Sequence, residues 1–567
     1  MPELEVCREH VLSNDYRDFI VSQLDAEEFT PIITEDTCQQ EMEFIYKVIH
    51  VEKTMADPIS LDRYSYNSIP KCFTLLDMEA MNQAGILQVQ NYPTLNLQGT
   101  NVMIGFVDTG IDYQNPIFRN LDGSTRIAGI WDQTIQEGMP PEGFLYGAEY
   151  RKPQIDEALR LEDPFEMVPT RDEISHGTFL ASIAAGSANV ENQFIGAAPD
   201  ATIAVVKLKQ AKQYLKDFYQ IFTDTPCYQE TDIMLGLKYL NQLAEELNLP
   251  LVICIALGTN QGSHSAISPL SGLLEVYSNL SKRAIVIGGG NEANQRHHFL
   301  GKLENVNDRK EVEIRVANGV SGFCMELWTE NPNIMSVTVV SPSGGSTSKL
   351  PIRSNETQEY RFIFEGTRIT INYKLFLERS NAELVFFRLE GVTEGIWKVL
   401  VEPVQVAEGI FHIWLPMTEF LQNEVYFLES NPDYTITEPG STITGMTVGF
   451  YNGADNSIAI SSGRGYTRGG IIKPNFVAPG VNVTGATTRN QFAKRSGSSI
   501  AAGITAGACA LLLEWIVYQL EEAADSIQIR NLLTLGTERT LNEVYPNRAW
   551  GYGRLNLYGT FDELRRL

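Results

Sequence analysis

Ser496-Gly497-Ser498-Ser499-Ile500-Ala501-Ala502-Gly503-Ile504-Thr505-Ala506-Gly507-Ala508 leads directly into the apolar run Cys509–Tyr518. Nearly every residue in its first dozen positions is small; Leu511, Leu512, Leu513 and Trp515 follow. A helix so poor in side-chain volume at its start can bring its backbone close to a sheet and leave the turn before it exposed. A serine on that turn lies beside unpaired N–H groups and the positive end of the helix dipole. That environment suits a nucleophile whose reaction builds negative charge next to it. A tightly packed Ala/Gly core helix explains the stretch equally well when it is taken alone. The rest of the chain has to decide.

Working outward, Asn101–Phe106 and Val107 form a run of bulky and β-branched residues that ends in Asp108-Thr109-Gly110-Ile111-Asp112. This reads as a buried strand delivering a carboxylate at its C-terminal end, where ligand sites of open α/β sheets lie. A helix cap, a metal ligand or a turn residue are the plainer roles for such an aspartate. Ser175-His176-Gly177-Thr178 opens a second small-residue helix that closes at Gly186. Strand-like Thr202–Lys207, an amphipathic helix over Asp232–Leu247 and the buried strand Leu251–Ile255 follow. Ala284–Ile287 then runs into Gly288-Gly289-Gly290-Asn291. Consecutive glycines let another backbone approach closely, or simply make a flexible turn. Alternating strands and helices predict a parallel sheet with helices on both faces.

From about Glu304 to Phe427 the pattern changes to period-2 strands, among them Glu311–Val316, Met335–Val340, Tyr360–Phe364, Leu384–Leu389 and Trp397–Val401, with polar turns between them. This predicts a β-sandwich inserted into the α/β unit. The section from Tyr113 to Arg171 reads as a polar insertion. Residues 1 to about 70 read as a small α/β unit with strands near Phe19–Val21 and Phe44–Ile49, closed by Ile69-Pro70. A helix is expected over Leu76–Ala84, stopping at Gly85.

Acyl transfer needs a nucleophile, a base, a carboxylate to orient the base, and donors for an oxyanion. Ser499, His176, Asp108 and Asn291 supply these groups. An α/β-hydrolase would place its acid and histidine after the serine, yet no histidine follows Ser499, the last being His412. Aspartate, then histidine, then serine is the subtilisin order. The chain thus resembles the subtilisin-family serine proteases: Asp108 in D-T-G-I-D, His176 in H-G-T, Ser499 in the nucleophile motif and Asn291 as the oxyanion asparagine. Ala256-Leu257-Gly258 resembles the family segment that pairs with an extended substrate, and Gly288 and Gly289 border the same cleft. Ser461–Gly465 and Lys473–Gly480 match flanking blocks. Ser498 stands where the motif has threonine, and Gly503 where it has proline, which loosens the helix start.

A narrower resemblance is to the Csp-type subtilases of clostridial spore formers. It rests on Gly105–Pro116, on Gly290-Asn291-Glu292 followed by His297-His298, and on the β-rich insertion. It implies a prodomain (1–71) acting as intramolecular chaperone and inhibitor, and a protease domain (72–303 and 436–567) with a jelly-roll insertion (304–435). It also implies self-cleavage near Tyr64–Phe73, and action on the precursor of a spore-cortex hydrolase during germination. Members that lack triad residues act as pseudoproteases, so a scaffold or sensor role is the alternative reading; a generic esterase is disfavoured by the triad order.

Composition narrows the partners. The 567 residues carry a formal charge of −26, which repels phosphates, and no basic run of useful length offsets it. A peptide or protein substrate is therefore expected, with no nucleic acid and no membrane span. The N-terminus has no apolar signal core, and the seven scattered cysteines read as free or buried thiols of a reducing compartment. These features place the protein in the cytoplasm or in a spore. No cofactor is called for, and no carboxylate loop is specific enough to assign the structural calcium common in subtilisins. The pair His297-His298 reads as a surface or structural feature, not a metal site.

Overall fold

The computed structural model describes residues 4–22, 29, 31–34, 37–43, 45–75, 82–93, 95–347, 352, 356–377 and 380–566. Twelve strands carry labels here: β1 Tyr16–Ser22, β2 Cys38–Glu43, β3 Tyr46–Glu52, β4 Cys72–Leu75, β5 Met103–Asp108, β6 Ile127–Asp132, β7 Ala148–Arg151, β8 Thr202–Lys207, β9 Tyr228–Gln229, β10 Leu251–Ile255, β11 Leu257–Gly258 and β12 Arg283–Gly288.

β5 is the keel. All six of its residues are buried, and it pairs in parallel with β8 on one side and β10 on the other. The full sheet runs Ser457–Ile458, Met446–Asn452, β12, β10, β5, β8, β6, β7, with Phe476–Pro479 also paired to Met446–Asn452. Alternation along each strand fills two cores. Ile104 and Phe106 of β5 and Val252 and Cys254 of β10 join the core beneath helices His176–Ala185 and Ser498–Glu514. Met103, Val107, Leu251 and Ile253 join the core on the opposite face, beneath helices Glu230–Glu246 and Pro269–Ser278. Hydrophobic runs buried on both faces are what a mainly parallel sheet demands. The section expected to be a polar insertion, Tyr113–Arg171, contributes β6 and β7 to this sheet.

The N-terminal unit is an antiparallel sheet ordered β1-β3-β2, preceded by helix Leu4–Leu12. Its strands alternate in the same way: Ile20 and Val48 enter the core shared with helix Glu230–Glu246, while Phe19, Val21, Ile49 and Val51 enter a third core. That third core also takes Tyr214 and Phe218, and Cys324, Trp328 and Trp414 of the inserted β region, so three parts of the chain meet there. The expectation of seven free thiols is corrected: Cys7 and Cys38 form a disulfide tying the first helix to β2, while Cys72, Cys227, Cys254, Cys324 and Cys509 are free and buried.

The inserted region is a sandwich of a six-stranded and a four-stranded antiparallel sheet, starting at His298–Lys302 and ending with Val425–Phe427. Phe323, Leu327 and Val385 from one sheet face Val312, Val337 and Val399 from the other across a common core. The strand expected at Tyr360–Phe364 lies at Thr357–Arg361, with Ile363 and Phe364 exposed in the turn after it. Of the helix expected over Leu76–Ala84, residues 76–81 lie outside the described ones; Asn82–Ala84 form a single 3-10 turn and Ile86–Gln90 a short helix. The helix from Ser498 through Gln519 is long and apolar enough to cross a membrane by length and composition, but 83% of its most apolar window is buried inside the fold.

Candidate active site

β5 ends at Asp108, fully buried, and helix His176–Ala185 packs against that strand. His176 Nδ1 lies 2.8 Å from Asp108 Oδ1 and 3.0 Å from Oδ2, while Thr109 N–H donates to Oδ1 at 2.7 Å. His176 Nε2 is 3.3 Å from Ser499 Oγ. Three residues far apart in sequence thus form one line of contacts: carboxylate, imidazole, hydroxyl.

Two helices hold that line. Ser175 caps the histidine helix in the left-handed region at φ 69°, unusual for a residue with a side chain. Asp172 fixes this conformation. Its Oδ1 accepts from Ser175 N–H at 2.8 Å and Thr109 Oγ1 at 2.8 Å, and its Oδ2 from Thr178 N–H at 2.9 Å and Thr178 Oγ1 at 2.7 Å. Sequence reasoning did not single out Asp172; its one signal was an acidic residue just ahead of a helix start.

On the serine side, Gly497 precedes helix Ser498–Glu514 at φ 152°, ψ 177°, a conformation reserved for glycine. The serine that replaces the motif's threonine keeps a role: Ser498 Oγ accepts from Gly290 N–H at 3.0 Å, tying the serine turn to the glycine-rich end of β12. Gly503 does not interrupt its helix. A methyl group there would lie 2.8 Å from Leu180 Cδ1, so its missing side chain lets the serine helix close onto the histidine helix.

Asn291 Oδ1 accepts from Ser498 N–H at 3.0 Å. With the carboxamide oxygen engaged, the Nδ2 hydrogens are what the group has left to offer beside Ser499. Gly289 N–H donates to Val448 O at 2.8 Å and its carbonyl accepts from Thr437 N–H at 3.3 Å, so its backbone is engaged within the fold. Gly288 pairs with Val448 at the end of β12.

Ala256 follows β10, and Leu257 and Gly258 form β11, whose edge is taken by the chain itself. β4 pairs antiparallel with β11, Leu75 opposite Leu257 and Thr74 opposite Gly258, and on its other edge with β9. The N-terminal unit is clamped in place by a buried ionic group. Asp18 Oδ1 accepts from Lys212 Nζ at 2.7 Å and lies 2.7 Å from His50 Nδ1, while Oδ2 accepts from Gln229 Nε2 at 2.7 Å. Burial alone would raise the Asp18 carboxyl; Lys212 and His50 outweigh it and hold the group well below the usual carboxylate range.

His297 and His298 are buried, which leaves the structural one of the two roles expected for the pair. They face apart: His297 Nδ1 lies 2.6 Å from Glu292 Oε2, and His298 Nε2 lies 3.0 Å from His412 Nδ1. Among the described residues no group of three or more His, Cys, Asp or Glu side chains is placed to hold a metal ion.

Known proteins resemble this chain in sequence and in fold. The profile of the subtilase family matches residues 99–343 and 423–553. The subtilisin-like protease SBT3.6 of Arabidopsis thaliana is 24% identical over 494 residues, 77% of this chain and 58% of its own length. The C5a peptidase of Streptococcus pyogenes is 20% identical over 442 residues, 73% of this chain and 35% of its own length. The chain therefore spans between a third and three fifths of these curated relatives. Among solved structures, the Clostridium perfringens CspB protease superposes with a TM-score of 0.76 at 32% identity, covering 86% of this chain and 98% of that one.

Proposed function

The chain belongs to the subtilase family, and from that premise we propose that it is an active serine endopeptidase whose catalytic residues are Ser499, His176 and Asp108. His176 Nε2 takes the Ser499 proton as the hydroxyl attacks a peptide carbonyl. Asp108 holds Nδ1–H and balances the imidazolium that forms. Asn291 Nδ2 and the Ser499 N–H stabilise the oxyanion. His176 gives that proton to the leaving amine as the peptide C–N bond breaks, and the acyl group left on Ser499 is then hydrolysed by water activated by the same histidine. The observation that carries this reading is the line of contacts from Asp108 through His176 to Ser499, 2.8 and 3.3 Å long.

The first substrate in this reading is the chain itself. β4 lies where a bound peptide would add a strand to β11, and its direct continuity with residues 76–81 supports self-cleavage just after Leu75. This is C-terminal to the stretch Tyr64–Phe73 suggested by sequence. The N-terminal unit then acts as chaperone and inhibitor of its own protease. The resemblance to Csp-type subtilases extends the proposal to a cortex-hydrolase precursor as substrate, and to a cytoplasmic or spore-associated location.

A second reading, a non-catalytic scaffold, draws on the same strand, since β4 fills the groove a substrate would need. A fluorophosphonate probe separates the two. A covalent adduct on Ser499, absent from His176→Ala, supports the protease; no adduct once the N-terminal unit has been displaced supports the scaffold.

A further inference from the structure

A cavity of about 620 Å³ lies beside the start of the histidine helix. Its walls are the segment Thr170–Ser175, which leads into His176, and the hairpin Val483–Thr487 and Gln491–Arg495, which leads toward Ser499. Among the described residues, none of β9, β11 or the 288–291 turn lines it. The groove on the β4 side holds chain that precedes the expected scissile bond. On the protease reading, chain that follows the bond leaves past the segments carrying His176 and Ser499 on the side where β11 does not stand, and this cavity is lined by residues of both those segments.

Three guanidinium groups line it, those of Arg171, Arg489 and Arg495, beside three carboxylates, those of Asp112, Asp172 and Glu173. The counts are equal, but the availability is not. Asp172 is 5% exposed and accepts the helix-start bonds described above. Asp112 Oδ2 accepts from Arg489 N–H at 2.8 Å and its Oδ1 from Gln114 N–H at 3.3 Å. Glu173 is paired with Lys207 at 2.9 Å. The arginines keep donors to offer. Arg171 stacks its guanidinium 3.7 Å over the Phe165 ring, and Arg495 gives Nη1 to Ser175 O at 3.3 Å. Arg489 stands exposed at the hairpin tip, with no carboxylate paired to its side chain among the described residues. On a chain of net charge −26 this groups three guanidiniums in one place, and guanidinium groups favour planar carboxylates.

A second observation comes from the sequence that follows β4: Leu76-Asp77-Met78-Glu79. Two acids at alternate positions fall on one side of an extended peptide, roughly 7 Å apart. The chain that follows β4 in sequence thus carries the complementary charge.

We infer that this cavity selects acidic side chains on the leaving-group side of the scissile bond, with Arg489 and Arg495 as its specificity-determining residues and Asp77 and Glu79 as the first acids presented to it. This rests on the protease reading, and the test keeps the two apart. A Ser499→Ala protein that also carries Asp77→Ser and Glu79→Ser is titrated with a fluorescein-labelled Leu-Asp-Met-Glu-Ala peptide and with its Leu-Lys-Met-Lys-Ala counterpart. At low salt the acidic peptide should bind about tenfold tighter, and Arg489→Glu with Arg495→Glu should reverse the order. Arg489→Glu alone, at an exposed position, gives a partial shift if the double variant fails to fold. Equal binding of the two peptides overturns the inference, whatever the catalytic result. An acidic preference in a protein whose wild type cuts nothing would overturn the protease reading alone.

Discussion

His176 and His298 are both buried imidazoles with a partner at each ring nitrogen, yet they are built for opposite ends. His176 has the Asp108 carboxylate at Nδ1 and the Ser499 hydroxyl at Nε2, so a proton gained on one side is balanced on the other. His298 has the Asn431 carbonyl 3.2 Å from Nδ1 and His412 at Nε2, and it stacks 4.8 Å from Trp414. His264 stacks on the same indole at 4.0 Å. Burial lowers His298 to about 3 and His264 to about 4, so these rings stay neutral. They form a buried seam where the sandwich meets the loop after β11. The contrast shows that residue type does not make a histidine reactive; an unsaturated hydroxyl on one side and a fixed carboxylate on the other do.

The sharpest way to break this contrast is to exchange the two outcomes. His176→Ala should lower turnover by roughly 10⁶ with the fold intact, the magnitude found for the corresponding residue of subtilisin. His298→Ala should shift the melting temperature and leave turnover nearly untouched. Peptide-hydrolysis rates and thermal melts on both variants decide it. Asn291→Ala comes next, with an expected loss of about 10²–10³ in turnover, clearly milder than His176→Ala. Equal loss in two folded variants would remove Asn291 from the oxyanion role.

Helix packing supplies a smaller effect. A methyl at Gly507 would lie 2.2 Å from Ala197 Cβ and 2.9 Å from Ala184 O, neither of which can move aside. Gly507→Ala should therefore destabilise by about 1–3 kcal/mol. Gly503→Ala meets only the tip of Leu180 and gains helix propensity of about 1 kcal/mol, so its urea midpoint should barely move.

The smallest effects are in the pH profile. Unfolded histidine titrates near 6.5. The seam histidines titrate lower in the fold, so their contribution is complete above about pH 6.5 and is lost as pH falls toward about 4. Glu438 runs the other way. Burial raises it to about 7, so its contribution is complete below the ordinary glutamate value and is lost as pH rises through about 7. His298→Gln should flatten the acid limb of the stability curve, and Glu438→Gln the limb leading up to neutrality. A curve unchanged by either substitution would refute the seam's part in pH dependence.

Much of this was legible in the chain. Asp108, His176, Asn291 and Ser499 each stand at the end of a strand or the start of a helix, where local composition announces both the element and its terminus. The parallel sheet followed from buried runs such as Leu251–Ile255. What stayed hidden depends on contacts between distant segments. β4 finds its partners more than 150 residues away, and four residues with no local turn signal give no hint of that pairing. Cys7 and Cys38 sit among five other cysteines with no distinguishing spacing, so their disulfide had no signature. The sandwich begins at His298–Lys302, ahead of the expected Glu304; that five-residue strand carries no period-2 pattern of its own. The arginine cavity gathers positions 171, 489 and 495, which no scan for basic runs could join.

The most direct test of the central claim is the intact mass of the purified wild-type protein beside Ser499→Ala. The account predicts that the wild type loses an N-terminal fragment ending at Leu75, while Ser499→Ala keeps the full 63.3 kDa. Identical cleavage of both proteins, or a wild type that stays whole, would contradict it.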